Sequence, residues 1–188
     1  CTTVGPYALY GSLLVQACAS QGTHYCDLTG EVQWMQKMIA EHQDTAAASG
    51  ARIVHTCGFD SIPSDLGVLF LQNAMRAAHG VPAQHIKYRA AGFSGGFSGG
   101  TVASMMNMFE EMAKDPSLRK LAADPYALNP AGGPRGTDKN DQTGAIFDED
   151  FGRWTLPFVM AAINTRVVRR SNALMNYSYG EDFNYDEA

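Results

Sequence analysis

Helical stripes that each stop at a glycine, separated by short runs of β-branched and aromatic residues, constrain the first eighty residues more than anything else in the chain. Residues 7–21 carry Leu9, Leu13, Leu14, Ala17 and Cys18 close to a 3.6-residue repeat, and Gly22 follows where a helix would turn off. Residues 23–29 are short and β-branched or aromatic, so they read as a strand. Val32, Met35, Met38, Ile39 and Ala46 then share one face of a second helix that stops at Gly50. Residues 52–57 form another apolar strand, and a third helix with the nearly all-apolar start Leu66–Leu71 ends at Gly80 and Pro82. This alternation, with crossovers of helical length, is the pattern of a parallel sheet covered by helices. Ligands of such sheets bind beyond the carboxyl ends of the strands. Three such ends are visible, at 4–7 (VGPY), 27–30 (DLTG) and 58–61 (GFDS), and all carry small or polar residues where a core would want bulk.

The pattern changes after Pro82. Residues 84–92 alternate Ile86, Tyr88 and Ala90 with His85, Lys87 and Arg89, which suits a half-exposed strand of an antiparallel sheet. A tandem F-S-G-G repeat at 93–100 leads into a helix bearing Val102, Met105, Met106, Phe109 and Met112. Residues 115–153 are rich in Pro, Gly, Asp and Asn and read as loop and short turns, a last helix starts from Pro157, and the tail 177–187 is acidic and aromatic. The expected fold class is α/β: an incomplete Rossmann-type sheet over 1–82, followed by part of an α+β domain over 83–188.

Composition bounds the function. The formal charge of −5 provides no basic field for a polyphosphate backbone, so nucleic acid is not an expected partner. No apolar run approaches the roughly 20 residues that span a bilayer, and no basic-then-apolar leader is present, so a soluble, cytoplasmic protein is expected. Cys1, Cys18, Cys26 and Cys57 lack zinc spacing and the histidines lack an H-x-x-x-H pattern, so no metal site is expected. The chain opens at Cys1 on residues that already read as the end of an element, and is expected to be a piece of something longer.

Several motifs admit both a structural and a chemical reading. The glycine run 92–100 is not spaced G-x-G-x-x-G, and reads as a bend or as a turn that lets backbone approach a substrate. Thr29, Gly30 and Glu31 suit the cap and first turn of the following helix, whereas Asp27 sits at the strand terminus where a crevice opens. Ser61 or Ser64 suits a cap, and Asp60 is the residue of that turn assigned to function. Arg166, Arg169 and Arg170 form either a solvated face paired with the acidic tail or with residues 148–150, or a clamp for a phosphate or acyl-carrier group. A Cys57–His55 hydrolase pair lacks an evident orienting partner.

The segments at 4–7, 22–31, 57–67, 98–101 and 164–172 together resemble the saccharopine dehydrogenase-like oxidoreductases, and within them the bacterial branch that includes the trans-acting enoyl reductases of complex-lipid synthesis. The resemblance implies a Rossmann dinucleotide domain with an inserted α+β domain and an NADP or NAD cofactor. It implies that Gly5, Pro6 and Tyr7 approach the cofactor, that Gly58, Phe59 and Asp60 lie near the nicotinamide, and that Asp27 faces the same crevice. The family's N-terminal glycine fingerprint is missing here, so this chain alone is expected to bind dinucleotide weakly or not at all. On this reading Tyr7 and Asp60 are the catalytic candidates, Tyr7 as the acid. Asp27, Ser61, Arg169 and Arg170 are the substrate contacts. The expected partners are a small-molecule or carrier-linked acyl substrate, a homodimer and a peripheral membrane surface. A saccharopine-type reaction at a C–N bond and a non-catalytic scaffolding member are the alternatives.

Overall fold

The computed structural model describes residues 1–188 other than Phe93, Ser94, Gly95, Phe97 and Lys139. Its elements are α1 (Tyr7–Tyr10), α2 (Ser12–Ser20), β1 (Tyr25–Cys26), α3 (Val32–Ser49), β2 (Ile53–Val54), α4 (Ile62–His79), β3 (His85–Tyr88), α5 (Gly99–Lys114), α6 (Pro116–Ala123), β4 (Ile146–Asp148), β5 (Arg153–Thr155), α7 (Ala161–Leu174) and β6 (Asn184–Glu187). The protein is mixed α/β with short parallel strand pairs. It divides into two compact units, Cys1–Phe59 with Gly95–Ala122, and Asp60–Ser94 with Ala123–Ala188. The boundary expected at Pro82 falls inside the second of these. Half of the F-S-G-G repeat, Phe93, Ser94, Gly95 and Phe97, lies outside the described residues.

In the first unit the strand–helix alternation read from the sequence is present. β1 and β2 pair in parallel, Tyr25 with Ile53 and Cys26 with Val54, and Thr2 bridges Asp27 in the same sense. Three chain segments therefore end on one side. The helix expected over 7–21 is two pieces, α1 and α2, divided at Gly11. α3 packs on α2 and ends at Gly50 in the left-handed conformation (φ 76°), as its glycine stop requires. Val15, Ala19, Tyr25, Trp34, Met35 and Met38 fill the core. Burying each of the larger ones contributes roughly 1.5–3 kcal/mol.

In the second unit α7 packs on α4 and on β6, around Val68, Ile86, Val168, Tyr179, Phe183 and Tyr185. The inner face of α4 is partly polar. Gln72, fully buried, donates to Ala83 O at 2.9 Å and accepts from Ala83 N at 2.8 Å, clipping back the chain that leaves at Gly80. One expectation is corrected: β3 pairs in parallel with β6, not in an antiparallel sheet. The alternation of β3 was legible, but its partner comes from the acidic tail about a hundred residues on, where Tyr179, Phe183, Tyr185 and Glu187 turn inward. The stretch read as loop contains α6 and the antiparallel hairpin β4–β5.

The cations at the end of β3 anchor the hairpin. Lys87 and Arg89 both bind Asp148, at 3.3 and 2.6 Å, and the same carboxylate accepts the Asp150 and Phe151 amides of the hairpin turn. Burial alone would raise the Asp148 carboxyl, but the hydrogen bonds from Arg89 and Lys87 outweigh it and hold it at about 2. A depressed carboxyl contributes stability that is complete above the ordinary aspartate range near ~3.9 and is lost as pH falls through the folded value. Urea midpoints measured from neutral pH downward should therefore drop between pH ~4 and ~2 for the wild type and less steeply for Asp148→Asn. Parallel curves would exclude this group as an acid-sensitive support.

Candidate active site

The carboxyl ends of the parallel segments converge on Asp27, whose side chain is wholly buried (0% exposed). Its Oδ1 accepts the Thr29 amide at 3.1 Å and the Thr56 amide at 3.0 Å, and its Oδ2 lies 2.6 Å from His55 Nδ1. Its backbone also takes part: its N–H donates to Val54 O, and its carbonyl accepts the Cys57 amide. Asp27 thus ties the end of β1 to the end of β2. It also supports Thr56, a β-branched residue in the left-handed region (φ 58°), a conformation that costs of order 1–3 kcal/mol.

The His55 ring is fixed on two sides. Trp34 and Tyr25 meet it edge-on with ring centroids at 5.1 and 5.9 Å. A carboxylate oxygen only accepts, so the contact to Asp27 places the proton on Nδ1. Nε2 makes no hydrogen bond among the described residues, is not sealed from solvent, and belongs to a side chain 9% exposed. Burial and the Asp27 carboxylate push the neighbouring Tyr25 phenol up, so it stays protonated.

Tyr7 is also placed here, but turned inward. Its hydroxyl donates to Thr2 O and accepts the Leu28 amide, both at 3.2 Å, and its ring lies against Trp34 at 5.5 Å. The amides of Tyr7 and Ala8 donate to the two oxygens of Glu31 at 2.8 and 2.9 Å. Glu31 therefore caps α1; it was expected to serve the helix that follows it, but α3 starts without a side-chain cap bond. Cys57 does not complete a hydrolase pair. Its thiol points to the Val54 and His55 carbonyls and to Cys26, and burial pushes it up, away from thiolate. The orienting partner that the sequence did not reveal exists, but it serves the histidine alone.

The glycines expected to approach a cofactor are close-packed. A side chain at Gly5 would meet Ser104 Oγ at 2.9 Å, and one at Gly58 would meet Leu28 at 3.3 Å. Pro6 leads into α1 in extended conformation. Phe59 is 85% exposed.

The other expected residues lie in the second unit. Asp60 is exposed. Ser61 does not cap α4: its hydroxyl donates to Asn164 Oδ1 at 2.9 Å. Asn164 Nδ2 in turn donates to Ser64 Oγ and to Glu187 Oε2, and Glu187 Oε1 accepts the Tyr185 hydroxyl at 2.6 Å. Burial raises the Glu187 carboxyl, with the hydrogen bonds opposing it. Nothing in the spacing of Ser61, Asn164 and Glu187 marks them as partners.

The arginines of α7 form neither a solvated face nor an open clamp. Arg169 Nε pairs with Asp138 at 2.5 Å, with both side chains almost fully buried, and its other nitrogens donate to Tyr185 O and Pro125 O. Arg166 pairs with Asp141, and Arg170 donates to Leu128 O at 2.5 Å. The acidic partners and the Pro125 and Leu128 carbonyls are in the 124–141 segment, not at 148–150, and the tail contributes the Tyr185 carbonyl but no acid to these contacts. An open groove of about 600 Å³ lined by Gln84, His85, Thr137, Tyr179 and Asn184 contains none of the expected residues.

Against known proteins, the chain is similar over 99% of its length to a Mycobacterium tuberculosis protein provisionally named a trans-acting enoyl reductase (45% identity). It is similar over the same share to the trans-acting enoyl reductases of Mycobacterium leprae and Mycobacterium ulcerans (42% each). It covers 46% of each, so the chain spans about half the length of the curated relatives it matches. No protein-family model and no solved structure matches it. Among the described residues no helix is long and apolar enough to cross a membrane.

Proposed function

We propose that this chain is part of an NAD(P)-dependent oxidoreductase that reduces the double bond of a carrier-linked enoyl thioester in lipid or polyketide synthesis. The observation that carries the reading is the whole-length similarity, at 40–45% identity, to proteins named trans-acting enoyl reductases. The parallel segments ending at Gly5, Asp27 and His55 are read as part of a Rossmann-type sheet on a saccharopine dehydrogenase-like scaffold, with the reacting groups at the strand ends.

The residues present suit the ring end of a dinucleotide, not its phosphates. Lys37 and Arg52 are the only cations in residues 1–59, and both are exposed. Gly5 and Gly58 close on Ser104 and Leu28 and open no phosphate cradle. The Phe59 ring offers an apolar face, and Pro6 and Gly58 flank the strand ends without bulk. Pro6, Gly58 and Phe59 are therefore the residues that would border the nicotinamide. When bound, the reduced nicotinamide supplies the hydride. Tyr7, with both sides of its hydroxyl engaged, positions the Thr2 and Leu28 segments and is not the acid. Arg169 and Arg170 order the 124–141 segment.

The test uses the complete protein. NADPH or NADH should quench tryptophan fluorescence, and a Trp34→Phe variant should lose the share of that signal that comes from Trp34, which lies against His55. A carrier-linked enoyl thioester should be reduced faster than the free thioester. A folded protein that binds neither dinucleotide would replace this reading with a scaffolding role.

A further inference from the structure

We propose that His55 is the proton donor of this reaction and that Asp27 is its positioning residue; the proposal rests on the enoyl-reductase reading above. Reduction of an enoyl thioester needs a proton at the α-carbon after hydride has reached the β-carbon. Among the titratable side chains at the described strand ends, His55 alone combines a fixed ring with an unengaged polar atom open to solvent. The Tyr7 hydroxyl is engaged on both sides, and the Tyr25 hydroxyl is buried. The Cys57 thiol faces backbone carbonyls and Cys26.

The geometry suits a donor. Asp27 Oδ2 holds Nδ1 at 2.6 Å, and the two amides on Oδ1 prevent the carboxylate from swinging away. Trp34 and Tyr25 fix the ring plane. A histidine anchored through Nδ1 by a buried carboxylate presents Nε2 in one direction, and the carboxylate balances the charge of the protonated ring. His55 directly follows β2, at the carboxyl end where substrates of parallel sheets bind.

Hydride addition at the β-carbon leaves an enolate. The Nε2–H bond of the protonated ring then breaks, the enolate electron pair forms the α C–H bond, and the thioester carbonyl is restored. The neutral imidazole keeps Nδ1–H on Asp27 and takes its next proton from water. Positioned general acids contribute roughly 10²–10⁴-fold.

Two measurements on the complete protein test this. Ring ¹⁵N NMR should show His55 with its Nδ1–H engaged and Nε2 free, and Asp27→Asn should abolish that preference. His55→Ala should reduce turnover by roughly 10²–10⁴-fold, with free imidazole restoring at least about tenfold of it and dinucleotide quenching of Trp34 retained. His55→Gln, which fills the ring's space, covers the case in which the alanine variant does not fold. Turnover within about threefold of wild type in a folded His55 variant would overturn the proposal and leave the enoyl-reductase reading standing. A wild-type ring carrying its proton on Nε2 with Nδ1 unengaged would overturn it whatever the activity. A wild-type protein that binds dinucleotide but reduces no enoyl thioester would remove the reading and the donor role together, while the Asp27-dependent tautomer would still be seen.

Discussion

Replacing Asp138 with alanine should lower the free energy of unfolding by about 3–5 kcal/mol, the range seen when one partner of a buried ion pair is removed. The Arg169 side chain is 3% exposed and that of Asp138 is 2% exposed, so neither charge is hydrated in the folded protein. Removing the carboxylate leaves the guanidinium with the Tyr185 and Pro125 carbonyls and the face of the Tyr126 ring but no countercharge among these contacts, and it also orphans the Tyr185 amide, which donates to Asp138 Oδ1 at 2.9 Å. Asp138→Asn keeps an acceptor for that amide but not the charge, so it should fall between wild type and alanine. High salt should not rescue either variant, because screening acts on exposed charges. Urea unfolding with linear extrapolation measures the loss. A change below about 1 kcal/mol would mean a pair as weak as a solvated one. The effect should also spread to the 124–141 segment. Gly133 and Gly136 allow it to lie against residues 177–182: added side chains there would meet Tyr177 Oη and Glu181 O, each at 2.5 Å. Protease sensitivity across 131–137 should therefore rise with the loss of Asp138.

The order of elements up to His79 was legible because each helix carries its own stripe and its own glycine stop, which are local properties. Pairing was not. Asp27 and His55 are twenty-eight positions apart, and their contact follows from the register of β1 on β2, which no local pattern encodes. His55 pairs with Cys57 in a sequence reading because residues two apart lie on one face of a strand. The carboxylate that orients it was read as a substrate contact, and in the structure it is wholly buried. The arginines of α7 show the same limit. Their positive charge was evident, but the opposing acids come from a Pro- and Gly-rich segment with no periodicity, whose path is set by the arginines themselves. The short β6 was missed because an acidic, aromatic tail gives strand and surface signals at once. The turn at 58–61 does lie between strand and helix, yet Ser61 donates to Asn164 and Ser64 accepts from it, so neither hydroxyl serves the helix end.

Glu31→Ala should produce the second large loss, about 2–4 kcal/mol, because two amides lose a charged acceptor in a buried setting. If Glu31 served as the cap of α3, its removal would cost about 0.5–2 kcal/mol and would be felt at the start of that helix. The structure directs the effect elsewhere. The Tyr7 and Ala8 amides are held by the carboxylate, so their hydrogen exchange should accelerate while the α3 amides beyond its first turn stay protected. Tyr7 in turn carries the Thr2 and Leu28 segments on its hydroxyl and the Trp34 ring on its face, so Trp34 emission should shift in the folded variant. Glu31→Gln retains one acceptor and turns an NH₂ group toward the other amide, and should recover about half of the loss. The His55–Asp27 contact does not pass through Glu31 and should keep its tautomer in both variants. Slow exchange at Tyr7 and Ala8 with fraying confined to Val32 and Gln33 would return Glu31 to the role of an ordinary helix cap. Fast exchange at both residues with an intact Asp27–His55 contact would show that the strand-end cluster has two separate supports, one for the loop leading into α1 and one for the imidazole.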